Sequence, residues 1–328
     1  MRRRCNKQGC KAPDAFCKEL ASPNYEECSF WVNSTKDDTG SNTKSKTKKT
    51  LIPWSGFAMQ PKDIEQLAHR SIPQIIGIIG ASGAGKTSFL GMLYTLLFNG
   101  KKFKEWRFAG SNTLIAWETQ AKCLKVKPNG KVDFAEPTPR NRDYYGLYHF
   151  ALRNNRYLFD VLFADSSGEV FTDWSKNTED PNVENARWIY QNANAFILFV
   201  SCEEIIELKG KARNTITQLM GQVAANLKDR PLILVWSKSD KMEELNSKYS
   251  VIKKAIERSI NQYFPNSETI AISNFSQSDP DNLCHVNNLA VVEKIINKLS
   301  KPSLLKIKPK IGDSIDLFFK YRGSYESK

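Results

Sequence analysis

The sequence predicts an α/β fold in which a mostly parallel sheet forms the middle layer of a three-layer sandwich. Short apolar runs alternate along the chain with longer stretches of helical periodicity, which is the pattern of strand–helix–strand units. The runs are nearly continuous, as in strands that are buried on both faces. With 328 residues, of which 41% are hydrophobic, the chain is long enough to bury a sizeable core.

Five apolar runs are predicted strands, and three apolar stripes are predicted helices. The runs cover residues 74–79, 157–164, 195–200, 231–236 and 269–272. The stripes repeat every three or four residues and consist of Ile216, Leu219, Val223 and Leu227; Ile252, Ile256 and Ile260; and Leu289, Val292, Ile296 and Leu299. We interpret all three stripes as helix faces that pack in the core.

Composition divides the chain into four segments. Residues 1–31 are rich in cysteine, and residues 32–50 are polar and lysine-rich. We predict that the second segment is a flexible linker, because it has too few apolar residues to offset the entropy cost of ordering. Residues 51–300 hold the α/β domain, and residues 301–328 form a basic C-terminal extension.

The net charge of +13 favours anionic partners such as nucleotides, nucleic acid or an acidic membrane surface. No apolar run reaches the roughly 18 residues that a membrane span requires. The N-terminus also lacks the hydrophobic core of a signal peptide. We therefore expect no membrane span and a cytoplasmic location.

A glycine-rich motif follows the first predicted strand. The sequence GASGAGKT, residues 80–87, matches G-x-x-x-x-G-K-[ST] and leads into a predicted helix. Backbone N–H groups of such a loop surround phosphates at the positive end of the helix dipole. Lys86 would bridge the β- and γ-phosphates and act in catalysis, and Thr87 would place its hydroxyl on Mg²⁺. The predicted nucleotide contacts here are Gly80, Ser82, Gly83, Ala84, Gly85, Lys86, Thr87 and Ser88. The fold is then that of a P-loop NTPase.

A D-x-x-G motif ends the second predicted strand. Asp165 would hold Mg²⁺ through water, and the N–H of Gly168 would contact the γ-phosphate. Glu169 takes the place of a residue that orients the attacking water, so we assign it a catalytic role. A carboxylate can accept a hydrogen bond from that water, but it repels an anion, so we expect slow hydrolysis. A catalytic arginine could come from Arg140, Arg142 or a partner, and the sequence does not choose among them.

Thr138 lies between two prolines in a predicted extended loop. We predict that it is the switch threonine, which contacts Mg²⁺ and the γ-phosphate and contributes to catalysis.

Two later motifs would read the base. Ser237-Lys238-Ser239-Asp240 is similar to the N/T-K-x-D motif, in which the carboxylate accepts two hydrogen bonds from guanine. Asp240 would select guanine, and the stem of Lys238 would lie along the base. Because serine is shorter than asparagine, we expect Ser237 to lack the bond that asparagine makes toward the P-loop. Ser273 and Asn274 would cap the guanine O6.

The order of these motifs resembles the GTPase domain of the TRAFAC clade over about residues 71–299. Within that clade, GASGAGKTSFLGMLY, FAGSNTL, ADSSGE and FFKYRG are similar to the bacterial double-GTPase family. The resemblance implies GTP or GDP with Mg²⁺, GTP hydrolysis and a switch role in anti-phage conflict systems. It also implies protein partners that include a second GTPase or an effector. The alternatives are an ATP-hydrolysing P-loop NTPase and a nucleic-acid-binding adaptor with a structural nucleotide, the latter being less favoured because no aromatic residues interleave the lysines.

Four cysteines, Cys5, Cys10, Cys17 and Cys28, lie within 24 residues. A segment this short cannot build a core, and a tetrahedral Cys₄ zinc site would supply the missing folding energy. The spacing lacks the usual C-x₂-C pairs, so an unstructured tail, an iron–sulfur cluster or a redox pair remain as alternatives.

Overall fold

The computed structural model describes residues 5–14, 17, 19–20, 24–32, 34, 56–67, 71–122, 124, 138, 140–141, 143–155, 157–274 and 287–300. Most of the predicted linker and all of the predicted C-terminal extension lie outside these residues. The chain forms two compact units, Met1–Trp54 and Ser55–Lys328.

A sheet of seven strands is the centre of the second unit. Its order is β2-β3-β4-β1-β5-β6-β7, in which β2, β3 and β4 pair antiparallel and every other pair is parallel. The strands are β1 (Gln74–Gly80), β2 (Arg107–Gly110), β3 (Leu147–Arg153), β4 (Leu158–Asp165), β5 (Ala195–Ser201), β6 (Leu232–Ser237) and β7 (Glu268–Ala271). The predicted mostly parallel α/β sheet is thereby confirmed.

The described residues form ten α-helices. They are α1 (Ser29–Val32), α2 (Lys86–Phe98), α3 (Leu114–Lys122), α4 (Gly168–Lys176), α5 (Glu184–Asn192), α6 (Cys202–Leu208), α7 (Gly210–Ala225), α8 (Met242–Lys248), α9 (Ser250–Tyr263) and α10 (Asn288–Leu299). The three predicted apolar stripes lie in α7, α9 and α10, except that Leu227 follows the end of α7. None of the helices in the described part of the chain combines the length and the apolar character needed to cross a membrane.

Helices cover both faces of the sheet. Successive residues of a strand point to opposite faces, so neighbouring residues of β1 contact different helices. Ile76 and Ile78 of β1 join a core cluster that includes Phe89 of α2 and Ile296 of α10. The backbone of Gly77, between them, lies against Ile189 of α5 and Phe196. Burial on both faces explains why β1 reads as a continuous apolar run.

Sequence analysis missed β2 and β3. Strand β2 has four residues and is largely exposed, so it lacks an apolar run. The apolar run of β3 is interrupted by His149, which is buried. Burial of this ring is tolerated because Nε2 hydrogen-bonds to Asp160 Oδ1 at 3.0 Å and Nδ1 accepts from the N–H of Asn112 at 3.0 Å. Only the fold supplies these partners.

The parallel strands β4, β1, β5 and β6 run in the same direction, so their carboxyl ends meet at one edge of the sheet. Ligands of open α/β sheets bind at this edge. The motifs that begin at Gly80, Asp165 and Ser237 are therefore brought together by the strand order.

Candidate nucleotide-binding site

The predicted P-loop joins the end of β1 to the start of α2. Gly83 and Gly85 adopt left-handed conformations, with φ of 70° and 85°, which favour glycine. Gly85 is the N-cap of α2, and it has no side chain that could form a capping hydrogen bond. The first-turn N–H groups of α2 are thus available to an anion, as P-loop binding requires.

Lys86, the first residue of α2, is buried, with 5% of its surface exposed. Its Nζ donates to the carbonyl oxygens of Gly80 at 3.1 Å and Ala81 at 3.0 Å. Burial lowers the pKa of Lys86, while the negative charges of Asp165 and Glu204 act in the opposite direction. The ammonium group is thereby held inside the loop that would surround a phosphate.

Thr87, Thr138 and Asp165, the three predicted magnesium residues, lie together. The hydroxyls of Thr87 and Thr138 donate to Asp165 Oδ2 at 3.0 and 3.3 Å, and the two hydroxyl oxygens are 2.8 Å apart. Asp165 is 1% exposed, and its Oδ1 has no hydrogen-bond partner among the described residues. Burial raises the pKa of Asp165, and Lys86 together with the two threonines counteracts that effect. A buried carboxylate with two hydroxyls is an oxygen donor set that fits Mg²⁺.

The start of α4 is pressed against the P-loop. A Cβ atom at Gly168 would lie 2.3 Å from the carbonyl carbon of Ala81 and 2.4 Å from the backbone nitrogen of Ser82. Only glycine permits this close approach of the D-x-x-G loop to the phosphate loop. Glu169 follows on the exposed side, where its Oε2 lies 3.3 Å from a guanidinium nitrogen of Arg140.

The expectation that Ser237 lacks a bond toward the P-loop is wrong. Its hydroxyl donates to the carbonyl oxygen of Ala84 at 2.7 Å. A short side chain suffices because the backbone of β6 ends close to Gly85, whose added Cβ would be 3.9 Å from the Cβ of Ser237. The loop that begins at Ser237 is therefore joined directly to the predicted P-loop.

The remaining predicted base contacts are adjacent to one another. Lys238 has a left-handed backbone, with φ of 54°, and its ammonium forms an ion pair with Glu203. The hydroxyl of Ser273 donates to Asp240 Oδ1 at 3.0 Å, which joins the two base motifs. Asn274 follows, and its Oδ1 is buried without a hydrogen-bond partner in the described part of the chain.

A cavity of about 480 Å³ lies beside the first residues of the P-loop, within the size range of small-molecule sites. Its lining includes Ala81, Ser82 and Gly83 of the P-loop, together with Arg140, Glu169 and Lys238. The candidate Arg142 lies outside the described residues.

Comparison with protein families matches residues 74–298 to the model described as Double-GTPase 2. The match spans more than half of the chain. The chain belongs to the Double-GTPase 2 family.

Several solved structures resemble this double-GTPase domain at low similarity. The Ski7 GTPase-like domain of S. cerevisiae bound to GTP has 12% identity, a TM-score of 0.44 and coverage of 74% of this chain and 53% of its own. Elongation factor SelB of Methanococcus maripaludis, in complex with a GTP analogue, has 16% identity, a TM-score of 0.35 and coverage of 69% and 33%. Era of Aquifex aeolicus, bound to GDP and AlF₄⁻, has 18% identity, a TM-score of 0.32 and coverage of 69% and 56%.

The double-GTPase chain thus spans between about a third and just over half of these proteins. None of the likenesses bears on what it binds. No curated protein matches it.

Two buried residues of the candidate site carry no motif and were missed by sequence analysis. The first is Asn185 of α5, which is fully buried. Its Nδ2 donates to the carbonyl oxygens of Asn141 at 3.1 Å and Tyr144 at 2.9 Å, and to Ser166 Oγ at 2.9 Å. It therefore joins the end of the Thr138 loop to the Asp165 loop.

The second missed residue is Glu204, near the start of α6. Its Oε2 is buried and has no hydrogen-bond partner among the residues that the structure describes. Burial raises the pKa of Glu204 to about 7, and the positive charges of Lys86 and Lys238 limit the rise. No sequence signal distinguishes it from the adjacent Glu203.

The cysteines of the first unit are described separately. Cys17 and Cys28 are buried with Ala12 and Trp31 in a small apolar cluster, against which Cys5 and Cys10 pack. The thiols form two pairs, Cys5 with Cys10 and Cys17 with Cys28, each within hydrogen-bonding distance. The described residues contain no group of three or more His, Cys, Asp or Glu side chains that could hold a metal ion. The zinc site therefore stays a prediction.

We predict that Ser237→Ala weakens GTP binding about fivefold, because a hydrogen bond of this kind contributes about 1 kcal/mol. Isothermal titration calorimetry with Mg²⁺ measures the change. Ser259→Ala is the matched control, since that serine hydroxyl also donates to a backbone carbonyl, Ala255, but on α9. Equal affinities for Ser237→Ala and the wild type would show that the bond does not position the P-loop.

We predict that Glu204→Gln changes how stability depends on pH. The folded pKa of about 7 exceeds the ordinary value of 4.5, so the folded protein binds more protons than the unfolded chain between these pH values. Uptake of this proton stabilises the folded protein. The free energy of unfolding therefore falls as the pH rises from 4.5 through about 7. The Tm of the nucleotide-free variant, minus that of the wild type, should therefore be larger at pH 8 than at pH 5. A constant difference would contradict the assignment.

Proposed function

We propose that this protein is a GTP-binding switch that hydrolyses GTP slowly. The observation that carries the proposal is the convergence of Lys86, Thr87, Thr138 and Asp165 at one end of the sheet. Thr138 is 51 residues from Thr87, and Asp165 is 78 residues from it, yet all three oxygen groups are in mutual contact. Family membership is consistent with this proposal.

The P-loop residues would bind the triphosphate. Lys86 would exchange its two carbonyl acceptors for β- and γ-phosphate oxygens, which are stronger acceptors because they are charged. Thr87, Thr138 and Asp165 would hold Mg²⁺, which neutralises phosphate charge when it is bound.

Hydrolysis would proceed by attack of a water oxygen on the γ-phosphorus. The bond from that phosphorus to the β–γ bridging oxygen breaks, its electron pair stays with GDP, and the water proton passes to the released phosphate or to solvent. Glu169 can accept a hydrogen bond from the attacking water, but its charge opposes the phosphate. We therefore infer a rate constant no higher than on the order of 10⁻² s⁻¹ without a partner.

The switch would consist of the Thr138 loop and the start of α4. Both would be ordered by the γ-phosphate and released after hydrolysis. Asn185 supports this role, because its side chain bonds to both the segment that follows Thr138 and the residue after Asp165. A change in either loop would alter the bonds of the other.

Guanine selection would depend on Asp240, whose second carboxylate oxygen stays available when Oδ1 accepts from Ser273. An ATP-hydrolysing enzyme is the alternative, in which Asp240 has no role in base recognition. The two proposals predict different relative affinities for GTP and ATP.

We predict that Asp240→Asn lowers GTP affinity at least about tenfold, because a charged acceptor is lost, and raises affinity for XTP, whose 2-oxo group accepts from the amide. Titration of GTP, GDP, ATP, ADP and XTP with Mg²⁺ measures both effects. Asp229→Asn, an exposed residue before β6, is the matched control, and Lys86→Ala should abolish binding of every triphosphate. Equal affinity for GTP and ATP, or no gain of XTP binding in Asp240→Asn, would contradict guanine selection.

We further propose that the partner is a second GTPase and that the pair acts in an anti-phage conflict system. The support is the family assignment alone. Co-purification of the two proteins with GTP but not with GDP would support the pairing, and no association in either state would contradict it.

We also propose that the four N-terminal cysteines bind structural zinc. The support is the arrangement of the thiols as two adjacent pairs in a unit whose apolar cluster is too small to stabilise it alone. Zinc would draw the pairs into one tetrahedral site.

We predict one equivalent of zinc in the purified full-length protein, measured by elemental analysis. Cys10→Ser and Cys17→Ser should each lose it, because three thiolates hold zinc less tightly than four. Cys202→Ala is the control, since that cysteine lies in α6 of the other unit. Less than half an equivalent in the wild type, unchanged in Cys10→Ser and Cys17→Ser, would remove the zinc proposal.

A further inference from the structure

We infer that Arg140 is a catalytic arginine supplied from within the chain, which leaves Glu169 and binds the γ-phosphate during hydrolysis. The inference rests on the proposed GTPase function and names the cation that this function requires. Arg140 lines the cavity over the P-loop together with Ala81, Ser82 and Gly83. Arg140 thus borders the same cavity as the first residues of the predicted phosphate loop.

The cavity needs a positive charge when a triphosphate enters. Among the described residues that line it, five are carboxylates and three are cations. The carboxylates are Glu169, Asp173, Glu203, Glu204 and Glu207, and the cations are Arg140, Lys176 and Lys238. A bound triphosphate would add to an excess of negative charge. A cation that moved from this lining toward the γ-phosphate would add to the positive charge of Lys86 and Mg²⁺ and would stabilise the transition state.

Arg140 is the best placed of these three cations. Lys238 is paired with Glu203 and belongs to the base-reading motif. Lys176 lies in the last turn of α4, with its Nζ 3.0 Å from Asp173. Arg140 instead belongs to the loop that carries Thr138.

The position of Arg140 is set by Thr138, two residues before it. Thr138 is bound to Thr87 and to Asp165 at the proposed magnesium site. Two residues of extended chain span at most about 7 Å, so the backbone of Arg140 stays close to that site.

The present contacts of Arg140 are ones that it can exchange. Its guanidinium lies 2.8 Å from Asp173 Oδ2 and 3.3 Å from Glu169 Oε2, and the side chain is 64% exposed. Exposed ion pairs contribute little free energy. A phosphate offers the planar guanidinium two charged acceptors at once, which favours the exchange.

The exchange would also release Glu169. In the present structure the Glu169 carboxylate is ion-paired with the Arg140 guanidinium. Once Arg140 moves to the γ-phosphate, the carboxylate can accept a hydrogen bond from the attacking water. The bonds made and broken in hydrolysis are those described above, and Arg140 takes part in them only through charge. GDP has no γ-phosphate and would leave the Arg140–Glu169 pair intact.

Single-turnover hydrolysis and nucleotide affinity, measured separately on the full chain, test this inference. Arg140→Ala should reduce the rate constant for GTP hydrolysis at least about tenfold while GTP affinity changes less than about twofold. Arg140→Lys should restore only part of the rate, because lysine lacks the planar pair of donors. Binding of GDP with aluminium fluoride, which imitates the transferring phosphoryl group, should weaken in Arg140→Ala.

Two variants serve as controls. Asp173→Asn weakens the ion pair that holds Arg140 but keeps the Arg140 guanidinium. The hydrolysis rate and the aluminium fluoride binding of this variant should therefore equal or exceed those of the wild type. Arg153→Ala removes an exposed arginine at the end of β3 and should change neither.

An unchanged rate in Arg140→Ala with normal GTP binding would overturn the role of Arg140 and leave the proposed switch in place. Absence of hydrolysis by an isolated wild type that binds GTP would overturn both the role of Arg140, since an arginine within the chain needs no partner, and the proposed slow hydrolysis, while GTP binding would stand. Failure of the wild type to bind GTP would overturn both the proposed function and this inference.

Discussion

A buried ammonium group at the carboxyl edge of the sheet is the interaction on which the rest of the site depends. A charge that leaves water needs compensating partners. For Lys86 these are the carbonyl oxygens of Gly80 and Ala81 and the negative charges of Asp165 and Glu204. The same arrangement that stabilises the cation without a ligand holds it where phosphate oxygens would replace its acceptors.

The loops around Lys86 are joined by bonds between residues that are far apart in the sequence. Ser237 and Ala84, which are 153 residues apart, connect the base loop to the phosphate loop. Asp165 binds the hydroxyls of Thr87 and Thr138, and Asn185 connects the segments that follow Thr138 and Asp165. These hydrogen bonds link each loop to the next around Lys86.

The charge of the whole chain gives a poor description of this site. The chain carries +13, yet carboxylates outnumber cations in the described lining of the cavity over the P-loop. Burial raises the pKa of Glu204, so protonation partly removes its charge near neutral pH. Arg140 and Lys238 are each bound to a carboxylate. Local pairing therefore decides which charges a ligand would meet.

The sequence alone predicted five of the seven strands, because each is a continuous apolar run. It also located the P-loop and the motifs at Asp165 and Asp240, because each is a local pattern that follows such a run. It was insufficient for β3, where His149 needs Asp160, and for the bond from Ser237 to Ala84. It also did not reveal Asn185, Glu204 or the pairing of Arg140 with Glu169. These features depend on side chains that only the order and register of the strands bring together, so the tertiary structure decided them.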